Sequence, residues 1–398
     1  MKKGKASNAC KLAVAAALVG LLAACQGGAD RLTVPGAGAG ANASQTPSGD
    51  SGGNGRKLTI VPGSGPTAGR ETAVKRIHRL AGASVESWTS DDAVRILTTK
   101  PVRPATATEE AKFEYETSTY DLVRDVPGKA TKVRLPSETE SGGAFVREEP
   151  SPDGRYVFRQ TWRDKYKASN AVVERATGRV VEVPGDNYLE KGAWLDDGTY
   201  ALAAGSMTGP GDLRLIAVIG KVATLELNDP DVESFSAFGA GGGRLYYLDK
   251  LGKLKSFAPG EDKPRTLVSG ADAFALSPDG ARIAVTETGT GAAGSAPAEL
   301  RLYGADGTAQ GALLGKGDLV PALAWSPDSA KLAFAVYAED KGGMNGVYML
   351  QADIGKISLV APNAFPEYPL SWNPSGSRLA VTTSDRHSLP VTQIYDFD

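Results

Sequence analysis

WSPDSAKLAF, Trp325 to Phe334, decides the fold, because the chain writes it again as WNPSGSRLAV from Trp372 to Val381 and as LSPDGARIAV from Leu276 to Val285. Repetition of this kind points first to an architecture. The wording suits a tight hairpin: proline presets its backbone angle, aspartate bonds the turn amides, and glycine takes the left-handed position. A short apolar strand precedes the turn, and another such as Lys331 to Val336 follows it.

Four further copies align on the same turn: WTSDDAVRIL from Trp88, PSPDGRYVFR from Pro150, WLDDGTYALA from Trp194 and FGAGGGRLYY from Phe238. Turn ends fall at 92, 154, 198, 242, 280, 329 and 376, so the spacings are 62, 44, 44, 38, 49 and 47. Most lie near the forty-odd residues of a four-stranded propeller blade. Four of the five tryptophans, Trp88, Trp194, Trp325 and Trp372, hold the same repeat position, with Phe238 and Leu276 there in two other copies.

Third strands read GVYML at Gly346 and ELRLY at Glu299. Fourth strands read KVRLP at Lys132, RVVEVPG at Arg179, ATLEL at Ala223, RTLVSG at Arg265, GALLG at Gly311 and KISLVAP at Lys356. The seventh copy stops at TQIYDFD after three strands, and RKLTIVPG, Arg56 to Gly63, reads as its missing fourth. The expected fold is all-β, a seven-bladed β-propeller of four-stranded antiparallel blades over 56–398. Pairing of N- and C-terminal strands would close the ring and remove its exposed edges. Copies one and four depart furthest from the consensus, which leaves six or eight blades open. On this reading WSPD is the hairpin between the innermost and second strands, and the aromatic wedges between blades.

The chain of 398 residues is 41% hydrophobic and 23% charged, enough for a sizeable core, and its 48 glycines and 24 prolines imply many turns. Formal net charge is −2; the first 24 residues hold four lysines and no acid, and without them 40 basic residues face 46 acidic ones. That balance argues against nucleic acid as a partner.

Lys2, Lys3 and Lys5 open the chain, Leu12 to Leu22 form a short apolar run, and Leu22-Ala23-Ala24-Cys25 follows. This resembles a bacterial lipoprotein signal with its lipobox. The resemblance implies cleavage before Cys25 and lipidation of that cysteine, which would anchor the protein to a membrane outside the cytoplasm; the alternative is an ordinary signal peptide cut nearby. The division is then 1–24 signal peptide, 25–55 lipidated cysteine and flexible Gly/Ser/Ala-rich tether, and 56–398 propeller. Cys10 and Cys25 are the only cysteines, so the mature domain is expected to lack disulfides and thiol metal sites.

The SPDG-type hairpins, each followed by a basic residue and an apolar strand, resemble the WD40-like repeats of TolB-type propellers. Nearly all of the chain beyond the tether is covered. The resemblance implies a protein-interaction platform in the cell envelope. The sequence departs from TolB itself in its lipobox, in seven copies where TolB has six blades, and in leaving no room for TolB's N-terminal domain.

No G-x-S-x-G elbow, Walker loop or Rossmann fingerprint is present, and His78 and His387 are the only histidines. Catalytic residues, cofactors and metal ligands are therefore expected to be none. The acidic pairs Asp229/Asp231 and Asp196/Asp197 lack calcium-loop spacing and read as blade turns.

A partner is expected on the face that carries the loops joining second to third strands and blade to blade. Trp162, Arg163 and Tyr166 fall in one such segment, QTWRDKYKASN, Gln160 to Asn170. Asn187 and Tyr188, Phe365 and Tyr368, and Arg386 and His387 share the expected face; tyrosine, tryptophan and arginine are the usual interface anchors. Thr99 to Lys112 reads as a long mobile loop, and Glu71 to Leu80 as a short helix. The expected function is a lipid-anchored, monomeric, non-catalytic scaffold for an envelope protein or glycan; the alternative is a propeller hydrolase or lyase acting on polysaccharide.

Overall fold

A computed structural model describes residues 72–106, 109, 111–133, 145–164, 167–183, 191–204, 212–232, 235, 237–289, 296–311, 313–339 and 345–398. Side chains at 145–147, 162–164, 167, 204 and 212 are excepted. All described residues fall in one compact unit, and every regular element among them is a strand.

The strands form five four-stranded antiparallel sheets and one nine-stranded sheet, which contains the first and last blade-like sets of four, joined at Ala83 and Val391, and one short extra strand. Blade 1 comprises Ala83–Ser90, Ala93–Arg103, Lys112–Asp121 and Thr131–Val133, with a short extra pairing at Val126–Pro127. Blade 2 comprises Phe145–Pro150, Tyr156–Asp164, Lys167–Glu174 and Val180–Glu182; blade 3, Lys191–Asp196, Thr199–Ala204, Asp212–Ala217 and Val222–Leu225. Blade 4 runs Phe238–Gly241, Arg244–Leu248, Lys253–Phe257 and Arg265–Ser269; blade 5, Ala271–Leu276, Arg282–Thr288, Ala298–Gly304 and Gly315–Gly317. Blade 6 runs Leu319–Trp325, Lys331–Tyr337, Gly346–Gln351 and Lys356–Pro362. Blade 7 takes Ser371–Trp372, Arg378–Ser384 and Pro390–Phe397 from the end of the chain, and its outer strand, Val74–Ala81, from the beginning.

The expected propeller is therefore present, with a different closing strand. Val74–Ala81 pairs with Pro390–Phe397, His78 opposite Ile394, where the sequence reading expected a helix. Val74, Ile77 and Leu80 share a helical spacing, yet the buried positions in this strand are His78 and Leu80, two apart, as a strand requires. Residues 56–63, expected to close the ring, lie outside the described residues. Blade 5's outer strand is Gly315–Gly317, four residues beyond the start expected at Gly311. Thr99–Arg103, expected in a mobile loop, extend the second strand of blade 1, and Lys112 already opens the third.

Core packing explains the apolar wording of the repeat. In Lys331–Tyr337, Leu332, Phe334 and Val336 pack with Leu300 and Leu314 of blade 5, whereas Ala333 and Ala335 pack with Leu379 and Val381 of blade 7. Successive strand residues point to opposite faces, and both faces are covered, so nearly every position is apolar. Six such clusters fill consecutive seams, from blades 2 and 3 round to blades 7 and 1.

Tryptophan supplies the polar stitch at these seams. Trp194 Nε1 donates to the Glu149 carbonyl at 2.9 Å, Trp325 to Ala275 at 3.0 Å and Trp372 to Ala324 at 3.0 Å. Each acceptor is the residue just before the repeat position of the preceding blade, which confirms the expected wedge.

The turns are equally regular. Ser277 Oγ accepts from the Arg282 amide at 2.9 Å and Ser326 Oγ from Lys331 at 2.9 Å, with Asn373 Oδ1 serving Arg378 at 2.8 Å. Gly280 and Gly376 have φ of +69° and +68°, as the left-handed position demands. Turns also bind their neighbours: Asp153 N donates to Asp197 Oδ1 at 3.1 Å, Asp279 N to Ser329 Oγ at 2.9 Å and Ser375 N to Asp91 Oδ1 at 2.7 Å.

Candidate functional site

Antiparallel order puts two kinds of connection at the same end of the ring: those from second to third strands and those from blade to blade. At that end blade 6 contributes Leu319, which is paired in register with Tyr337. The Asp318 amide donates to the Tyr337 carbonyl at 2.8 Å, and the Glu339 amide to Asp318 Oδ2 at 2.6 Å, which fixes the strand end. Asn345 then clamps the connection, its Oδ1 accepting from the Ala338 amide and its Nδ2 donating to the Ala338 carbonyl at 2.9 Å. Asn363 N reaches the Asn345 carbonyl at 3.1 Å, and so the segment 363–370 starts beside the clamp.

That segment carries Phe365 and Tyr368 into solvent, while Pro366 and Leu370 turn inward. The Phe365 ring meets Tyr337 edge to face, centroids 5.3 Å apart at 76°. The Glu367 amide donates to the Thr382 carbonyl at 3.1 Å and its carboxylate accepts from the Ser384 hydroxyl, which ties the segment to blade 7. Burial pushes the Tyr368 phenol up, and the charge of Glu367 and the nearby Tyr115 of blade 1 push the same way. Leu319 is 51% exposed, Tyr337 36%, Phe365 40% and Tyr368 41%. Four large side chains, one aliphatic, one phenyl and two phenolic, thus stand partly in water at the junction of blades 6 and 7.

Arg386 and His387 lie in a turn held by Asp385, whose Oδ1 accepts from the His387 and Leu389 amides at 2.8 and 3.0 Å. These two bonds hold the Asp385 carboxyl below the usual range, and the turn presents both side chains to solvent. Arg386 Nε donates to His387 Nε2 at 3.1 Å.

Phe365 and Tyr368, between blades 6 and 7, and Arg386 and His387, between the second and third strands of blade 7, are exposed on connections at this end of the ring. The sequence reading missed Leu319 and Tyr337, which sit at strand ends and read there as core. Gln160 to Asn170 is chiefly strand, where a loop was expected: Asp164 pairs with Lys167, and Gln160 and Asn170 are buried and bonded at 2.7 Å. Trp162 and Arg163 lie on this second strand of blade 2, and their side chains are outside the described set. Tyr166, Asn187, Tyr188 and Cys25 lie outside the described residues altogether.

The acidic pairs are structural. Asp229 lies between Lys255 Nζ, at 2.9 and 2.8 Å, and the Tyr247 hydroxyl at 2.7 Å, so an internal ammonium stands where a cation would bind. Burial alone would raise the Asp229 carboxyl; the Lys255 and Tyr247 bonds outweigh it and hold the group low. Asp196 caps the Gly198 amide at 2.8 Å. Among the described residues no group of three or more His, Cys, Asp or Glu side chains is placed to hold a metal ion.

Carboxylates on innermost strands are also engaged locally. Glu86 pairs with Arg95 at 3.2 Å, Glu148 with Arg159 at 2.6 Å, Glu149 with the Tyr200 hydroxyl at 2.7 Å and Asp272 with Thr288 at 2.8 Å. Neither histidine bonds a serine or threonine hydroxyl among the described residues.

Neither a protein-family model nor a curated protein sequence matches the chain. Solved structures do resemble it. An oligogalacturonate lyase in complex with manganese superposes with a TM-score of 0.50 at 12% identity, covering 80% of this chain and 97% of that one. The β-propeller domain of the Trilobed protease from Pyrococcus furiosus gives 0.49 at 14%, over 80% and 94% of the two chains. TolB from Acinetobacter baumannii gives 0.38 at 13%, over 76% and 80%. At such identities the likeness is one of fold, and with the strand order it makes this chain a β-propeller.

Proposed function

We propose that the protein is a lipid-anchored, extracytoplasmic propeller that binds a protein or glycan of the cell envelope through the loops of blades 6 and 7. The lipobox at Leu22 to Cys25 supports the anchor, and TolB-type repeats support the envelope setting. The binding reading rests on one observation, the exposed group Leu319, Tyr337, Phe365 and Tyr368. Completing the burial of each such half-exposed side chain is worth about 1 kcal/mol, and clustered exposure of this kind marks interaction sites. Tyrosine and arginine are the anchors that dominate interface energetics, and Arg386 is exposed in a connection at the same end of the ring.

The test is capture from detergent-solubilised envelope on the wild-type chain and on a Phe365→Ser, Tyr368→Ser variant of equal thermal stability. Binders lost from the variant support the reading; identical binders on both baits exclude this surface. A glycan array run with the same two proteins separates the carbohydrate arm from the protein arm. Loss of membrane partitioning in a Cys25→Ala variant tests the anchor.

A further inference from the structure

His78 is 2% exposed on the strand that closes the ring, and both its ring nitrogens face carboxylates. Nδ1 lies 2.9 Å from Asp125 Oδ1, in the turn after the third strand of blade 1, and Nε2 lies 3.3 Å from Asp396 Oδ2, on the third strand of blade 7. Ionised carboxylates only accept hydrogen bonds. A ring that donates to both at once must hold a proton on each nitrogen, and in that state it carries a positive charge.

The surroundings balance that charge. From its own strand Arg76 reaches Asp125 Oδ2 at 3.4 Å. From blade 7 Arg378 Nε reaches Asp396 Oδ1 at 2.9 Å, and from blade 1 Asp92 meets the same guanidinium at 2.8 Å. The Tyr120 hydroxyl donates to Asp125 Oδ1 at 3.1 Å. Three cations, Arg76, Arg378 and charged His78, oppose three anions, Asp92, Asp125 and Asp396. The His78 bond leads the influences that hold the Asp125 carboxyl low. A neutral ring keeps one N–H, turns a lone pair on the other carboxylate and leaves the cluster one negative charge in excess; the ring is buried there and Asp396 largely so, whereas Asp125 is half exposed.

We propose that His78 is a proton-operated latch. Doubly protonated, it ties the outer strand of blade 7 to blade 1; loss of one proton releases Val74–Ala81 from the seam. Histidine is the side chain that changes charge between about pH 5 and 8. Nothing in this latch depends on the binding surface or the lipid anchor.

The chain has two histidines, so ¹⁵N-histidine labelling of the full chain in detergent micelles gives two ring systems, with exposed His387 as the internal reference. The same sample is followed by hydrogen exchange, corrected for the intrinsic rate at each pH. At the acidic end both His78 nitrogens should carry protons. Protection of 74–81 should fall about tenfold or more as pH rises, as expected for loss of one charge-assisted hydrogen bond, with a midpoint matching the His78 ring titration, while 346–351 stay unchanged. In His78→Gln, 74–81 should show the low protection at every pH. Flat corrected protection, a midpoint that follows His387, or a single protonated His78 nitrogen at the acidic end would each overturn the latch. The ring signals need only wild-type protein, so they decide the matter if the variant does not fold.

Discussion

Trp88 Nε1 lies 3.1 Å from the Ser371 hydroxyl, whereas Trp194, Trp325 and Trp372 each donate to a backbone carbonyl at the same place in the blade before. The seam between the last blade and the first is thus stitched through a side chain. Its partner can be deleted by one substitution, which is impossible at the other three.

Ser371→Ala should cost about 0.5–1.5 kcal/mol, the net worth of one hydrogen bond. Trp372→Phe should cost more, about 1–3 kcal/mol, because the Ala324 carbonyl is left without its donor inside a packed seam. Urea unfolding of the two variants measures the order; the reverse order would mean that the indole bonds do not carry the seams.

Ser329, at φ +59°, occupies the left-handed turn position that Gly154, Gly242, Gly280 and Gly376 fill in four sister repeats. Its hydroxyl also receives the Asp279 amide of blade 5 at 2.9 Å. Ser329→Gly loses the bond and relieves strain, so the two effects nearly cancel; Ser329→Ala loses the bond and keeps the strain. The alanine variant should be less stable than the glycine variant by about 1 kcal/mol, read from thermal unfolding.

Lys255, Asp229 and Asp249 form a buried charge cluster in blade 4. Lys255 Nζ bonds Asp229 at 2.8 Å and sits 2.8 Å from Asp249 Oδ2, the latter an ionic contact outside hydrogen-bond alignment. Lys255→Met should cost about 3–5 kcal/mol, since two carboxylates are left buried without their cation. The pH dependence should also change sign. In the wild type, burial would raise both carboxyls but the Lys255 ammonium, together with the Tyr247 hydroxyl and the turn amides, holds them low, so their contribution is present at neutral pH and lost as pH falls through their depressed values. In the variant the Tyr247 hydroxyl and the turn amides still bond the carboxyls, but burial is no longer offset by a cation, so they rise and acidification should restore stability. Chemical unfolding at several pH values checks both slopes.

The propeller was legible because its signal is periodic: a turn that needs proline, aspartate and glycine, followed by a strand apolar on both faces, and a tryptophan whose donor has one available acceptor. Val74–Ala81 was misread because its inward residues include a histidine, held by charges from blade 1 and blade 7 that lie 47 and 318 positions away in sequence. No local pattern encodes such partners. Phe365 and Tyr368 were recognisable as aromatics in a connection between blades. Tyr337 was not, because VY at a strand end reads as core until the register with Leu319 shows that both emerge from the sheet.

The most direct test places a photo-crosslinking amino acid at Tyr368 in one sample and at Ile219 in another, in the intact envelope. Ile219 is 77% exposed in a turn joining third to fourth strands, and so lies at the opposite end of the ring. A discrete adduct from position 368 with none from 219 is the result predicted for a partner held by blades 6 and 7. Adducts from 219 alone, or the same adducts from both positions, would contradict it.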